Sequence, residues 1–80
     1  MKDKVKAYVV LPCYNEEEVL HETCRQLLGV FDEMRSDGLI TDSSRIVFVD
    51  DGSRDKTWSI IAELQDKHTE VEGIKLAHNV

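Results

Sequence analysis

Two short stretches carry side chains suited to chemistry: Pro12-Cys13-Tyr14-Asn15-Glu16 and Asp50-Asp51-Gly52-Ser53. The first offers an aromatic ring and a carboxylate within three positions. The second offers two adjacent carboxylates and then a glycine, which lets the chain turn sharply. A ring can stack on a planar base, and carboxylates can accept hydrogen bonds from a base N–H or from hydroxyls. Phosphate binding is a poor fit. Neither a G-x-G-x-x-G nor a G-K-[ST] sequence occurs. Glu16, Glu17 and Glu18 follow directly and would repel a pyrophosphate at a helix start.

The elements that must position these residues are legible from periodicity. The apolar run Ile46-Val47-Phe48-Val49 leads into the acidic pair, and an unalternated run suits a strand covered on both faces. This predicts strand two over 45–49. Strand one is expected over Val5 to Cys13, with Pro12 marking its end because proline cannot donate to a ladder. Leu20, Cys24, Leu27, Leu28, Phe31 and Met34 recur every three or four residues. They predict an amphipathic helix over 16–35, capped by Asn15 and with the glutamates in its first turn. Leu39 to Ser44 reads as a connecting loop. Thr57, Ile60, Ile61, Leu64 and His68 predict a second helix over 55–68, capped by Asp55 or Ser53. Gly73 reads as a break before a short third strand, Ile74 to Ala77. The order β-α-β-α-β points to an α/β fold, a doubly wound, Rossmann-like unit with a three-stranded parallel sheet. Ligands of open sheets of this kind bind at the carboxyl ends of the strands, where both stretches fall.

Composition narrows the class. Eighty residues allow one small domain, and 41% hydrophobic content is sufficient for a core. A net charge of −6 argues against nucleic acid or an anionic membrane surface as partner. No apolar run has membrane-spanning length, and the chain is expected to be cytoplasmic. Cys13 and Cys24 lack metal-ligand spacing and are expected as reduced, buried residues.

The two motifs together resemble the opening of the family 2 glycosyltransferases. The resemblance is carried by Val9-Val10-Leu11-Pro12-Cys13-Tyr14-Asn15-Glu16-Glu17 and by Val49-Asp50-Asp51-Gly52-Ser53-Arg54-Asp55-Lys56-Thr57. It extends to Ile74 through Asn79, which look like the third strand and its following loop. It implies an inverting enzyme of GT-A fold with sheet order 3-2-1, taking a UDP- or GDP-sugar as donor. Pro12 and Tyr14 would line the nucleoside pocket, with Tyr14 stacked on the base. Glu16 would accept bonds from ribose hydroxyls, Asp51 would accept the base N–H, and Asp50 would support the same turn. Asn79 would approach the donor from the third-strand loop. The wording leans toward the branch that transfers sugars to polyprenyl or dolichyl phosphate. A saccharide acceptor is the alternative, and the parent could act at the cytoplasmic membrane face.

The same resemblance implies parts that these residues do not supply. An Asp-x-Asp that holds Mg²⁺ or Mn²⁺ on the donor diphosphate is expected, as is a carboxylate base for the acceptor; no Asp-x-Asp occurs. The chain is therefore expected to be an amino-terminal part of a longer enzyme and inactive alone. Strand one would then lack its outer neighbour, and self-association through that edge is expected. Simpler roles compete at several positions: surface charge for Glu17 and Glu18, caps and turns for Ser53, Asp55 and Thr57, packing for Trp58, and helix surface for His21 and His68. His78 suits a loop or a pocket wall. Two other classes compete as well: a receiver-type signalling domain with a Mg²⁺-binding acidic pair, and an inert fold module. A receiver would carry its acidic pair after the first strand, whereas here a full strand-helix unit precedes it.

Overall fold

Ile46, Val47 and Phe48 are all buried, and the strand that contains them is the centre of the sheet. The computed structural model describes residues 3–76. It contains β1 (Tyr8–Cys13), α1 (Leu20–Ser36), β2 (Arg45–Asp50), α2 (Thr57–Lys67) and β3 (Val71–Lys75). β2 pairs in parallel with β1 on one side and β3 on the other. The order β1-β2-β3 is the expected 3-2-1 read from the opposite edge.

Both crossovers step the same way along the sheet, and α1 touches α2, so the two helices share one face. That face buries Cys13, Ile46, Phe48 and Val71 against Leu20, Cys24, Phe31, Ile61 and Leu64. The predicted stripe of α1 is the one that packs: Leu20, Cys24 and Phe31 are buried, with Leu27, Leu28 and Met34 partly so. The other face is not covered along its length by the described residues. Tyr8 and Val10 on β1 are 54% and 60% exposed, and Ile74 on β3 is 46% exposed. The apolar run of β2 is nonetheless buried on both faces, at Ile46 and Phe48 on one and Val47 on the other. Successive right-handed crossovers in one direction place their helices on the same side.

The element bounds differ from the periodicity reading in ways that have local causes. β1 starts at Tyr8 rather than Val5, because the Ala7 N–H is taken by the buried Ser44 hydroxyl at 2.9 Å. Val5 makes only a single bridge, to Ile40. The loop from Leu39 to Ser44 is thus anchored by two buried residues, Ile40 and Ser44. α1 starts at Leu20 rather than Glu16, and Asn15 does not cap it. Asn15 adopts a left-handed conformation, φ 50°, and its side chain is engaged elsewhere. Residues 17–19 form a turn in which the Glu16 carbonyl accepts the N–H groups of Val19 and Leu20. α2 starts at Thr57, two residues later than expected.

Gly73 does not break the third strand. It lies in the middle of β3, opposite Phe48, and the strand begins at Val71 rather than Ile74. The predicted Ala77 end lies outside the described residues. Gly52 does serve the turn expected of it, with φ 77°. At the far end of the sheet, Arg35 of α1 pairs with Glu70 ahead of β3 at 3.0 Å.

Candidate functional site

The two motifs meet because β1 and β2 end side by side. Cys13 stands opposite Asp50 in the register, and the Asp51 N–H donates to the Cys13 carbonyl at 3.0 Å. The loops that follow are joined by four further bonds. Asn15 donates its N–H to the Ser53 hydroxyl at 2.9 Å, and its side-chain oxygen accepts the Arg54 N–H at 2.9 Å. The Glu16 N–H donates to Thr57 Oγ1 at 2.8 Å. The Glu17 N–H donates to Asp55 Oδ2 at 3.3 Å.

Two adjoining clefts open at this edge. One is largely apolar and is lined by Leu11, Pro12, Cys13, Glu16, Val19, Leu20, Thr23 and Phe48. The other is acidic and is lined by Asn15 through Val19 with Asp55. Glu16 and Val19 belong to both. Pro12 and Glu16 are thus brought together in one cleft. Tyr14, 55% exposed, and Asp51, also exposed, stand at the same strand ends outside these linings. Asn79 lies outside the described residues, as does His78.

Asp50 is fully buried. Its Oδ1 accepts the Ser53 N–H at 3.2 Å, which is the turn support expected of it. Its Oδ2 is buried and has no hydrogen-bond partner among the described residues. A buried carboxylate oxygen left unpaired is costly, and Asp50 lines neither cleft. Cys13, beside it, is pushed up to about 11 by burial first and then by the charges of Glu16 and Asp50. The thiol stays protonated at neutral pH and is no nucleophile. Cys24 is also free and buried, as expected. Among the described residues, no group of three His, Cys, Asp or Glu side chains is arranged to hold a metal ion.

The family model for glycosyl transferase family 2 matches residues 8–80. The chain belongs to this family. Among its relatives, an uncharacterized glycosyltransferase of Bacillus subtilis (strain 168), YkoT, is 50% identical over 72 residues. That match covers 90% of this chain and 21% of the relative. A second from the same organism, YkcC, is 35% identical over 63 residues, covering 79% of this chain and 18% of the relative. The chain therefore spans about a fifth of the length of these relatives. Among the described residues, no helix is long and apolar enough to cross a membrane.

Four residues at these strand ends that the sequence suggests only as caps and turns link the two loops: Asn15, Ser53, Asp55 and Thr57. Asp55 does take the Thr57 N–H at 2.9 Å near the start of α2, as a cap would. It also reaches Glu17 across the site. The Asp-x-Thr spacing was visible in the sequence, but its second partner lies in the other motif. His21 is exposed as expected, whereas His68 is half-buried. Trp58 packs beside the core, with Lys75 Nζ 5.8 Å from its ring centre.

Proposed function

We propose that this chain forms the nucleoside-binding part of the donor site of an inverting glycosyltransferase that uses a UDP- or GDP-sugar. The observation that carries the reading is the bond from Asp51 N–H to the Cys13 carbonyl. It sets the acidic pair beside Pro12, Tyr14 and Glu16 at the carboxyl edge of the sheet, where open α/β sheets take ligands. Membership of the family supports the reaction class.

In this reading Tyr14 stacks on the base and Pro12 lines the pocket. Asp51 accepts the base N–H, Glu16 accepts ribose hydroxyls, and Asp50 holds the turn through Ser53. Asn79 approaches the donor from the loop after β3. The acidic lining suits a base and ribose and disfavours a bare diphosphate. Mg²⁺ or Mn²⁺ for the diphosphate, and the base that activates the acceptor, would come from residues other than these. A lipid-phosphate acceptor, or a saccharide, and a place at the cytoplasmic membrane face complete the proposal for the longer protein. The isolated chain would bind without turning over.

A titration of the labelled chain with UDP and GDP, followed by amide shifts, tests this. The expected result is weak binding without added metal, near millimolar or about −4 kcal/mol, with shifts at Tyr14, Glu16, Asp51 and Gly52. Shifts confined to the opposite strand ends, or none at high millimolar nucleotide, would remove the assignment.

A further inference from the structure

Glu16 is the one carboxylate that lines both clefts and also has its main chain fixed on both sides. Its carbonyl accepts Val19 N–H at 3.1 Å and Leu20 N–H at 3.0 Å. Its N–H is held by Thr57 Oγ1 at 2.8 Å, 41 residues away in sequence. Thr57 is itself fully buried. A backbone N–H can only donate, so Oγ1 must be the acceptor in that bond. The single hydroxyl proton must therefore go elsewhere, and Asp55 Oδ1 lies 2.5 Å away. Asp55 Oδ1 also takes the Thr57 N–H, and Oδ2 takes the Glu17 N–H. The chain of bonds runs one way: Glu16 N–H to Thr57 hydroxyl to Asp55 carboxylate.

We infer that Thr57, oriented by Asp55, is a positioning residue for Glu16, so that the first turn of α2 sets where the Glu16 carboxylate stands in the donor site. An ionised acceptor strengthens the hydroxyl's hold on the amide. With both ends of the Glu16 peptide fixed, the point from which its side chain leaves the main chain is set at the meeting of the two clefts. Misplacement of such a group by a fraction of an ångström weakens what it binds. The role given to Glu16 in binding rests on the nucleoside-site reading; the geometry of the three-residue chain does not.

The test uses the chain as Thr57→Val, which keeps the branched shape and removes the hydroxyl, and as Thr57→Ser, which keeps the hydroxyl. Ile61→Val serves as a control that loosens the core on α2 without touching these bonds. Two quantities are read: exchange of the Glu16 and Glu17 amides, and the Kd for UDP and GDP from amide shifts. Thr57→Val should expose the Glu16 amide and raise Kd about tenfold. Thr57→Ser should restore both to within about twofold, and Ile61→Val should lower the melting temperature while leaving Kd unchanged. A folded Thr57→Val with wild-type Glu16 exchange and wild-type Kd overturns the inference, as does an equal rise in Kd for Ile61→Val. Should Thr57→Val fail to fold, Asp55→Asn replaces it: faster Glu16 exchange with raised Kd upholds the inference, and no change overturns it. If the wild type binds neither nucleotide, the nucleoside-site reading fails. The positioning of Glu16 is then decided by amide exchange alone, upheld by loss in Thr57→Val with recovery in Thr57→Ser.

Discussion

Gly73 of β3 lies directly under Ile61 of α2: a Cβ added to the glycine would stand 2.5 Å from Ile61 Cγ2. The helix can approach the sheet this closely only because the strand has no side chain there. The Gly73 N–H is meanwhile taken by Gln65 Oε1 of the same helix at 2.8 Å. Gly73→Ala should therefore destabilise the fold by about 1–3 kcal/mol, the usual cost of overpacking. Chemical denaturation checks it. Because the conflict is with Ile61, the double variant Gly73→Ala/Ile61→Ala should cost less than the sum of the two single changes.

Acid sensitivity should be traceable to Asp55. Burial disfavours its charge, but bonds from the Thr57 hydroxyl and from the N–H groups of Thr57 and Glu17 outweigh that and hold the carboxyl below its ordinary 3.8. A carboxyl depressed in the folded state stabilises above its unfolded value, and that contribution is lost as pH falls through the folded one. Glu22 and Glu63 are also depressed, mainly by side-chain bonds from Arg25 and Lys67. Those pairs are exposed and worth little. Denaturation midpoints from pH 7 downward should fall below about pH 4, and Asp55→Asn should show a shallower fall. Parallel curves for the two proteins would assign the acid sensitivity to other groups.

Neither thiol should react readily at neutral pH. Cys13 is raised as described, and Cys24 is raised by burial first and by the charge of Glu70 second. Both should alkylate slowly in the folded chain and rapidly once denatured. A Cys13 rate near that of a free thiol, measured in a Cys24→Ala background, would show that the β1 end opens to solvent.

Asp51→Ala tests the proposed base contact. Its side chain is exposed, and the bond from its main chain to Cys13 is kept in the variant, so the fold should survive. Nucleotide Kd should rise about tenfold through loss of an acceptor. Unchanged Kd would remove the base contact from Asp51.

Self-association through β1 is the remaining expectation. Among the described residues β1 pairs only with β2, and Tyr8 and Val10 present apolar surface beside that edge. Lys6 lies over the Tyr8 ring, 5.2 Å from its centre, and covers it incompletely. Such edges pair with other chains unless charged or bulged. Sedimentation should show dimer at high micromolar concentration, and Val10→Lys should shift it to monomer. A wild-type monomer with protected amides over 7–11 would refute this.

The sequence by itself determined the element order, the stripe that α1 buries and the strand ends on which the two motifs sit. These follow from unalternated apolar runs and a period of 3.6 residues, which are local properties of the chain. Gly52 was also legible, because a turn after an acidic strand end calls for positive φ. Only the tertiary structure decided that Asn15 would be a cross-loop link instead of a cap. The same holds for Thr57, which holds Glu16, and for Ser44, which replaces a ladder bond to Ala7. Each of these bonds spans 37 to 41 residues. A polar side chain near a turn satisfies a nearby N–H unless folding brings a better-placed one, and local sequence does not say which loop will arrive. Gly73 follows the same logic: read alone it breaks a strand, and read against Ile61 it permits one.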